Sequence, residues 1–182
     1  MKIRKGVFET NSSSTHSIAI VKASVNIPKE AFINFHIGEY GWEESSYSFP
    51  SYMYTTFLDC NDIKSIEKLK SILDKWGIKY KFENPIWKYS TYEGKEYRYL
   101  DYGYVDHSYE ALSIMREILN DEDLLARALF SDSTVYTGND NGSEQDNMCF
   151  CADERIWNEE TNSYIQNPNH DSEHFDYFFK GN

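Results

Sequence analysis

The sequence predicts an α+β fold on three observations. Strand-like and helix-like segments come in blocks rather than in strict alternation, four segments carry helical periodicity with recognisable caps, and residues 78–105 read as a Tyr-rich antiparallel meander. The expected architecture is a mostly antiparallel sheet with about four helices packed on it. The 182 residues suit one domain, spanning 1–182, large enough to bury a core without covalent staples.

Residues 2–8 and 17–23 are rich in β-formers (Val7, Phe8; Ile18, Ile20, Val21), and the run Thr10 to His16 between them has no hydrophobic side chain, which predicts a loop. From Ala31 to Ile37, Ile33, Phe35 and Ile37 alternate with Phe32, Asn34 and His36, a strand buried on at least one face. Ser48 and Pro50 open a helix that runs to Leu58. Asp62 caps a second, whose apolar stripe is Ile63, Ile66, Leu69, Leu73 and Trp76 and which Gly77 ends. Residues 78–83, 86–92 and 96–105 are strand-like, with Glu93-Gly94 as a hairpin turn. Asp106 or Ser108 caps a third helix (Ala111, Leu112, Met115, Ile118, Leu119), and Asn120 or Asp121 starts a fourth (Leu124, Leu125, Ala128, Leu129). Residues 133–137 form a further strand that runs into Gly138-Asn139-Asp140-Asn141-Gly142. The closing aromatics Phe175, Tyr177, Phe178 and Phe179 are expected to dock residues 139–182 back onto the core.

With 18 Lys and Arg against 30 Asp and Glu, the net charge is −12 and the pI about 4.8. A phosphate backbone is repelled by such a molecule, so the composition argues against direct nucleic-acid binding and for cationic partners. Residues 139–182 hold ten acids and two bases, whereas the first 30 residues hold five bases and two acids. Three cysteines, an odd and sparse set, suit a reduced cytoplasmic compartment. No apolar run approaches the roughly 18 residues of a membrane span, so no membrane partner is expected.

Four sets of residues invite a chemical reading. Asn11, Ser12, Ser13, Ser14, Thr15 and His16 could cradle a phosphate, with His16 as acid or base, or could simply form Asx and Ser/Thr turns. Asn139, Asp140 and Asn141 could join them, with Asp140 as a carboxylate base, if both segments share one edge of the sheet; a turn needing positive φ is the plainer reading. Cys149, Cys151, His170 and His174 have the ligand types of tetrahedral zinc, with the histidines at helical spacing. The single residue between the cysteines makes joint coordination awkward, and no metal or other cofactor is expected. Finally, Tyr89, Tyr92, Tyr97, Tyr99, Tyr102, Tyr104 and Tyr109 exceed what one sheet face buries, and Tyr is an interface anchor. No hydrolase signature is present, and the balance of features favours a binding protein over an enzyme.

The opening Lys5-Gly6-Val7-Phe8-Glu9-Thr10-Asn11-Ser12-Ser13-Ser14-Thr15-His16-Ser17 resembles the N-terminus of a family of small, mostly uncharacterised proteins of bacteriophages and mobile elements in low-GC Gram-positive bacteria. Gly38-Glu39-Tyr40-Gly41-Trp42, Ser51-Tyr52-Met53-Tyr54-Thr55 and Thr137-Gly138-Asn139-Asp140-Asn141 are similar in order and type. The resemblance implies a phage-like origin and no particular reaction. A compact, acidic phage protein of the cytosol fits, by analogy, an anti-defence inhibitor such as an anti-CRISPR protein, which occupies a basic nucleic-acid-binding surface. The expected partner is a basic host protein or nucleoprotein complex, met through Asp153, Glu154, Glu159, Glu160, Tyr97 and Tyr99. The rival expectation is a protein or enzyme that binds a phosphate-bearing ligand through the two polar segments.

Overall fold

The computed structural model describes residues 14–41, 45–139, 154–158 and 160–180. In chain order the elements are β1 (Ser14–Val21), β2 (Phe32–Phe35), β3 (Glu39–Tyr40), β4 (Ser45–Ser48), α1 (Phe49–Asp59), α2 (Ile63–Trp76), β5 (Lys79–Phe82), β6 (Trp87–Tyr92), β7 (Lys95–Leu100) and β8 (Tyr104–Val105). They are followed by α3 (Ser108–Asn120), α4 (Glu122–Phe130), β9 (Thr134–Asn139), β10 (Arg155–Asn158), β11 (Ser163–Gln166) and β12 (Phe175–Lys180). The fold is α+β. Its largest sheet is antiparallel, in the order β12-β1-β9-β4, and smaller two-stranded pairings surround the helices.

Helix α1 lies at the centre. Phe49 and every residue from Ser51 to Leu58 are buried, so its polar side chains must find partners inside the protein. Thr55 and Thr56 do so by donating back to the carbonyls of Ser51 (2.9 Å) and Tyr52 (2.8 Å) one turn earlier. Helix α2 is amphipathic. Its cap Asp62 accepts from the Ser65 amide, and Gly77, with φ +70°, closes it in the left-handed conformation that glycine adopts without a Cβ clash. Asp121 caps α4 by accepting from the amides of Asp123 and Leu124. At α3 the cap is neither Asp106 nor Ser108. His107 takes that position with φ 52°, and it makes no side-chain capping bond.

Two further expectations need correction. The polar stretch ending at His16 was expected to be a loop, but Ser14, Thr15 and His16 begin β1, the strand between β12 and β9. Composition misleads there because polar side chains are tolerated in a buried strand when they are hydrogen-bonded to one another. The Tyr-rich meander is also shorter than expected. β5 does not continue into β6 but pairs in parallel with β2, with Ile33 opposite Tyr80 and Phe35 opposite Phe82. The rings of Phe35 and Phe82 stack at 4.4 Å, and Pro85 interrupts the chain before β6, so burial and a missing amide both favour this partner.

β12 pairs with β1 on the side away from β9, in register from His16 opposite Lys180 to Val21 opposite Phe175. Arg127 of α4 holds it there. Its guanidinium donates to Asp176 (2.7 Å), to Asp123 (3.1 Å) and to the Val21 carbonyl (3.1 Å). The closing aromatic segment is thereby fixed to the sheet.

Candidate functional site

The register of β1 and β9 brings the described ends of the two polar segments of the sequence together. Ser14 pairs with Asn139, Thr15 with Gly138 and His16 with Thr137. Ser14, His16, Ser17 and Thr137 are at most 1% exposed, and Thr15 is 7% exposed. Ser14 and His16, two apart on a strand, share the face that carries Ile18 and Ile20 into the core. There the imidazole lies between two hydroxyls, Ser14 Oγ at 2.9 Å from Nε2 and Tyr52 Oη at 2.6 Å from Nδ1. Tyr52 itself packs edge-on against both His16 and Tyr40.

This wiring has the order nucleophile, base, orienting group, with a phenol where hydrolases place a carboxylate. A neutral phenol does not stabilise an imidazolium as a carboxylate does, and a hydroxyl with no solvent exposure offers no approach to a substrate. In this state the cluster acts as a polar brace between β1 and α1. Thr15 extends it across the ladder by donating to the Gly138 carbonyl at 3.4 Å. Asn11, Ser12, Ser13, Asp140 and Asn141 lie outside the described residues.

Two buried or half-buried carboxylates, one of them unforeseen, organise the rest of the core edge. Asp62 accepts from Ser65 Oγ (2.6 Å) and from Arg116 Nε (2.8 Å). Burial pushes its pKa up, but the Arg116 and Ser65 bonds outweigh burial and hold the carboxyl below its ordinary range. Glu83 accepts from the Ile37 amide (3.0 Å) and from Tyr102 Oη (2.8 Å), and these bonds, the amide first, lower its pKa. Tyr54 donates to the Glu83 carbonyl (2.8 Å), and burial together with the Glu83 charge pushes it up to about 12. The Asp62 cap was legible in the sequence. Its partner Arg116, and all of the Glu83 cluster, depend on contacts between distant segments that no local pattern signals.

Of the zinc candidates, Cys149 and Cys151 fall outside the described residues. His170 and His174 do not share a helical face, because no residue from 167 to 174 is helical. His170 stacks on Tyr177, and His174 Nδ1 faces Asp171 Oδ2 at 2.8 Å. Among the described residues, no three His, Cys, Asp or Glu side chains are grouped as a metal site would require.

The exposed candidates sit on two hairpins. β6 and β7 form one, on which Tyr89, Tyr92 and Tyr97 are 64%, 49% and 45% exposed while Tyr99 is half-buried. β10 and β11 form the other. It carries exposed Glu154 and Glu160 with Tyr164, which is 60% exposed. Asp153 and Glu159 lie outside the described residues. No protein-family model matches the chain, and comparisons with curated proteins and with solved structures likewise give no match. Among the described residues, no helix is long and apolar enough to cross a membrane.

Proposed function

We propose that this is an acidic, phage-type binding protein that inhibits a host defence system by occupying the basic nucleic-acid-binding surface of a host protein or nucleoprotein complex. The observation that supports this reading is the segregation of charge. Residues 101–182 hold 18 acids and four bases, and Glu154, Glu160 and Glu173 stand exposed. Tyr164, on the same β10–β11 hairpin as the first two, supplies the kind of aromatic anchor that interfaces favour within a charged rim. An acidic surface that imitates a phosphate backbone competes for the same Lys and Arg side chains, and gains by the same release of counterions.

The test begins with the tagged protein purified from an infected low-GC Gram-positive host. Any partner recovered is then assayed, in purified form, for binding its own nucleic acid. The wild-type protein should displace that nucleic acid, and Glu154→Lys with Glu160→Lys should weaken displacement at least about tenfold, as should a rise in salt from 50 to 200 mM. Displacement indifferent to both treatments, or a partner whose nucleic-acid binding is unaffected, would overturn the reading.

A second reading, a protein or enzyme that takes a phosphate-bearing ligand, draws on the β1–β9 ladder that sets Ser14 to His16 beside Thr137 to Asn139. Titration with ATP and with inorganic phosphate tests it. Heat of binding that is lost in His16→Ala but retained in the Glu154/Glu160 variant would favour it over the first.

A further inference from the structure

The β6–β7 hairpin has two unlike faces. Residues directly opposite in an antiparallel pair share a face, and faces alternate along each strand. The register Trp87 with Leu100, Tyr89 with Arg98 and Thr91 with Glu96 therefore defines one face. Its base is committed to the protein body. Leu100 is buried in the core, Trp87 packs against that core, and Arg98 lies 4.0 Å over the Trp87 ring while bonding to Asn61. The other face consists of Lys88 with Tyr99, Ser90 with Tyr97, and Tyr92 with Lys95. It carries three tyrosines and two lysines, and no carboxylate among its six side chains. Lys88 is paired with Asp101 from beyond the hairpin, whereas Lys95 is exposed beside the turn.

We propose that this Tyr/Lys face of the β6–β7 hairpin binds single-stranded nucleic acid, stacking bases on Tyr97, Tyr99 and Tyr92 while Lys95, and Lys88 by exchanging its surface pair with Asp101, meet the backbone phosphates. Successive tyrosines on β7 stand about 6.7 Å apart, a spacing that lets neighbouring bases of an extended strand lie on neighbouring rings. Sheet faces that present aromatics to unstacked bases are a recurrent solution for single strands, and they tolerate any sequence because every base has a π-face. The net charge of the molecule does not forbid this. Charges are screened beyond about 8 Å at physiological salt, so a ligand on the hairpin senses the hairpin's own charges, Lys88, Lys95 and Arg98 with Glu93, Glu96 and Asp101, more than the acids of the rest of the chain. The local balance is also unlike the whole. Residues 87–101 hold three bases and three acids and are neutral, where the whole chain is −12. An acidic protein segment would satisfy the lysines but would leave the three tyrosines of this face without stacking partners.

The experiment follows the fluorescence anisotropy of fluorescein-labelled dT20 titrated with the full chain, independently of any host partner. Binding is expected with a Kd of about 10–100 µM at 50 mM salt, weakening about sevenfold at 200 mM, as for a non-specific single-strand site with about two phosphate contacts. Tyr97→Ala and Lys95→Glu should each weaken binding about tenfold with an unchanged melting temperature, and Tyr97→Trp should retain it. A blunt-ended 20-bp duplex should bind at least tenfold more weakly than dT20. The proposal is overturned by no anisotropy change at 200 µM protein, by Tyr97→Ala binding as the wild type does, or by duplex binding as well as dT20. Displacement of dT20 by poly-L-glutamate at equal charge would overturn it in favour of an acidic protein ligand.

Discussion

In β1 the side chains of Ser14, Thr15, His16 and Ser17 are buried, whereas on the β6–β7 hairpin Tyr89, Tyr92 and Tyr97 keep 45–64% of their surface exposed. The two regions invert the usual relation between side-chain type and burial, and they do so at different cost. A buried hydroxyl or imidazole is tolerated only with a hydrogen-bond partner, so β1 is tied to Tyr52 and to the β9 ladder. An exposed tyrosine keeps its hydroxyl solvated and costs little, so nothing in folding requires the hairpin to carry so many. The difference separates structure from recognition. Polar residues in β1 hold the sheet to α1, and aromatic residues on the hairpin are available to a ligand.

The largest expected effect breaks the buried side of this comparison. Tyr52→Phe removes the phenol oxygen from His16 Nδ1 at a site without solvent, and His16→Ala removes the ring that both hydroxyls contact. Urea unfolding should show losses of about 1–3 kcal/mol for the first and about 3 kcal/mol for the second. Losses under 0.5 kcal/mol would mean the brace is not a source of stability, and would return Ser14, His16 and Tyr52 to consideration as a ligand site.

Next in size is Asp62, 7% exposed at its side chain, which joins α2 to α3 through Arg116. Asp62→Ala should cost about 1–2 kcal/mol through the lost cap, with the Arg116 pair adding to it, while Asp62→Asn should recover part of the capping share. Equal losses in both variants would assign the whole effect to the charge.

The pH dependence has two limbs. Asp62 and Glu83 have lowered pKa values, so the stability they confer is present above the ordinary carboxylate range, near 4, and is lost as pH falls through their lower folded values. Tyr54 is raised to about 12, so its contribution is complete below the ordinary tyrosine value near 10 and is lost as pH rises from there through about 12. Melting temperatures should therefore fall below about pH 4 and above about pH 10. Glu83→Gln should flatten the acid limb, and Tyr54→Phe the alkaline limb. An unchanged alkaline limb in Tyr54→Phe would place that titration elsewhere.

Much of this comparison is legible in the sequence. The alternation of Ile33, Phe35 and Ile37, the caps Asp62 and Asp121, the stop at Gly77 and the aromatic terminus at 175–180 all follow local rules, and the structure places them accordingly. Polar composition failed for Ser14 to His16 because it describes a segment's affinity for water and says nothing of a partner 36 residues away such as Tyr52. The parallel pairing of β2 with β5 escaped for the same reason, since it joins segments separated by two helices. The adjacency of the two polar segments was conceivable only as a conditional, and the β1–β9 register supplies that condition for Ser14 to His16 with Thr137 to Asn139. Net charge averages over a chain whose bases are unevenly placed, nine of the 18 lying in residues 61–100 with six of the 30 acids.

The smallest expected effect is on stability, at the exposed surfaces. Tyr92→Ser on the β6–β7 hairpin and Glu160→Lys on the β10–β11 hairpin alter side chains that make no ion pair among the described residues. Each should change the unfolding free energy by no more than about 0.5 kcal/mol, because solvated side chains contribute little to folding. Their effects on binding should then diverge. Tyr92→Ser should weaken dT20 binding and leave partner displacement intact, whereas Glu160→Lys should weaken displacement and leave dT20 binding unchanged or slightly strengthened, since it removes a distant negative charge. Measuring both variants in both assays forms a two-by-two test. If one variant weakened both activities, the hairpins would belong to one continuous surface, and the separate assignment of an acidic docking face and a Tyr/Lys face would fall.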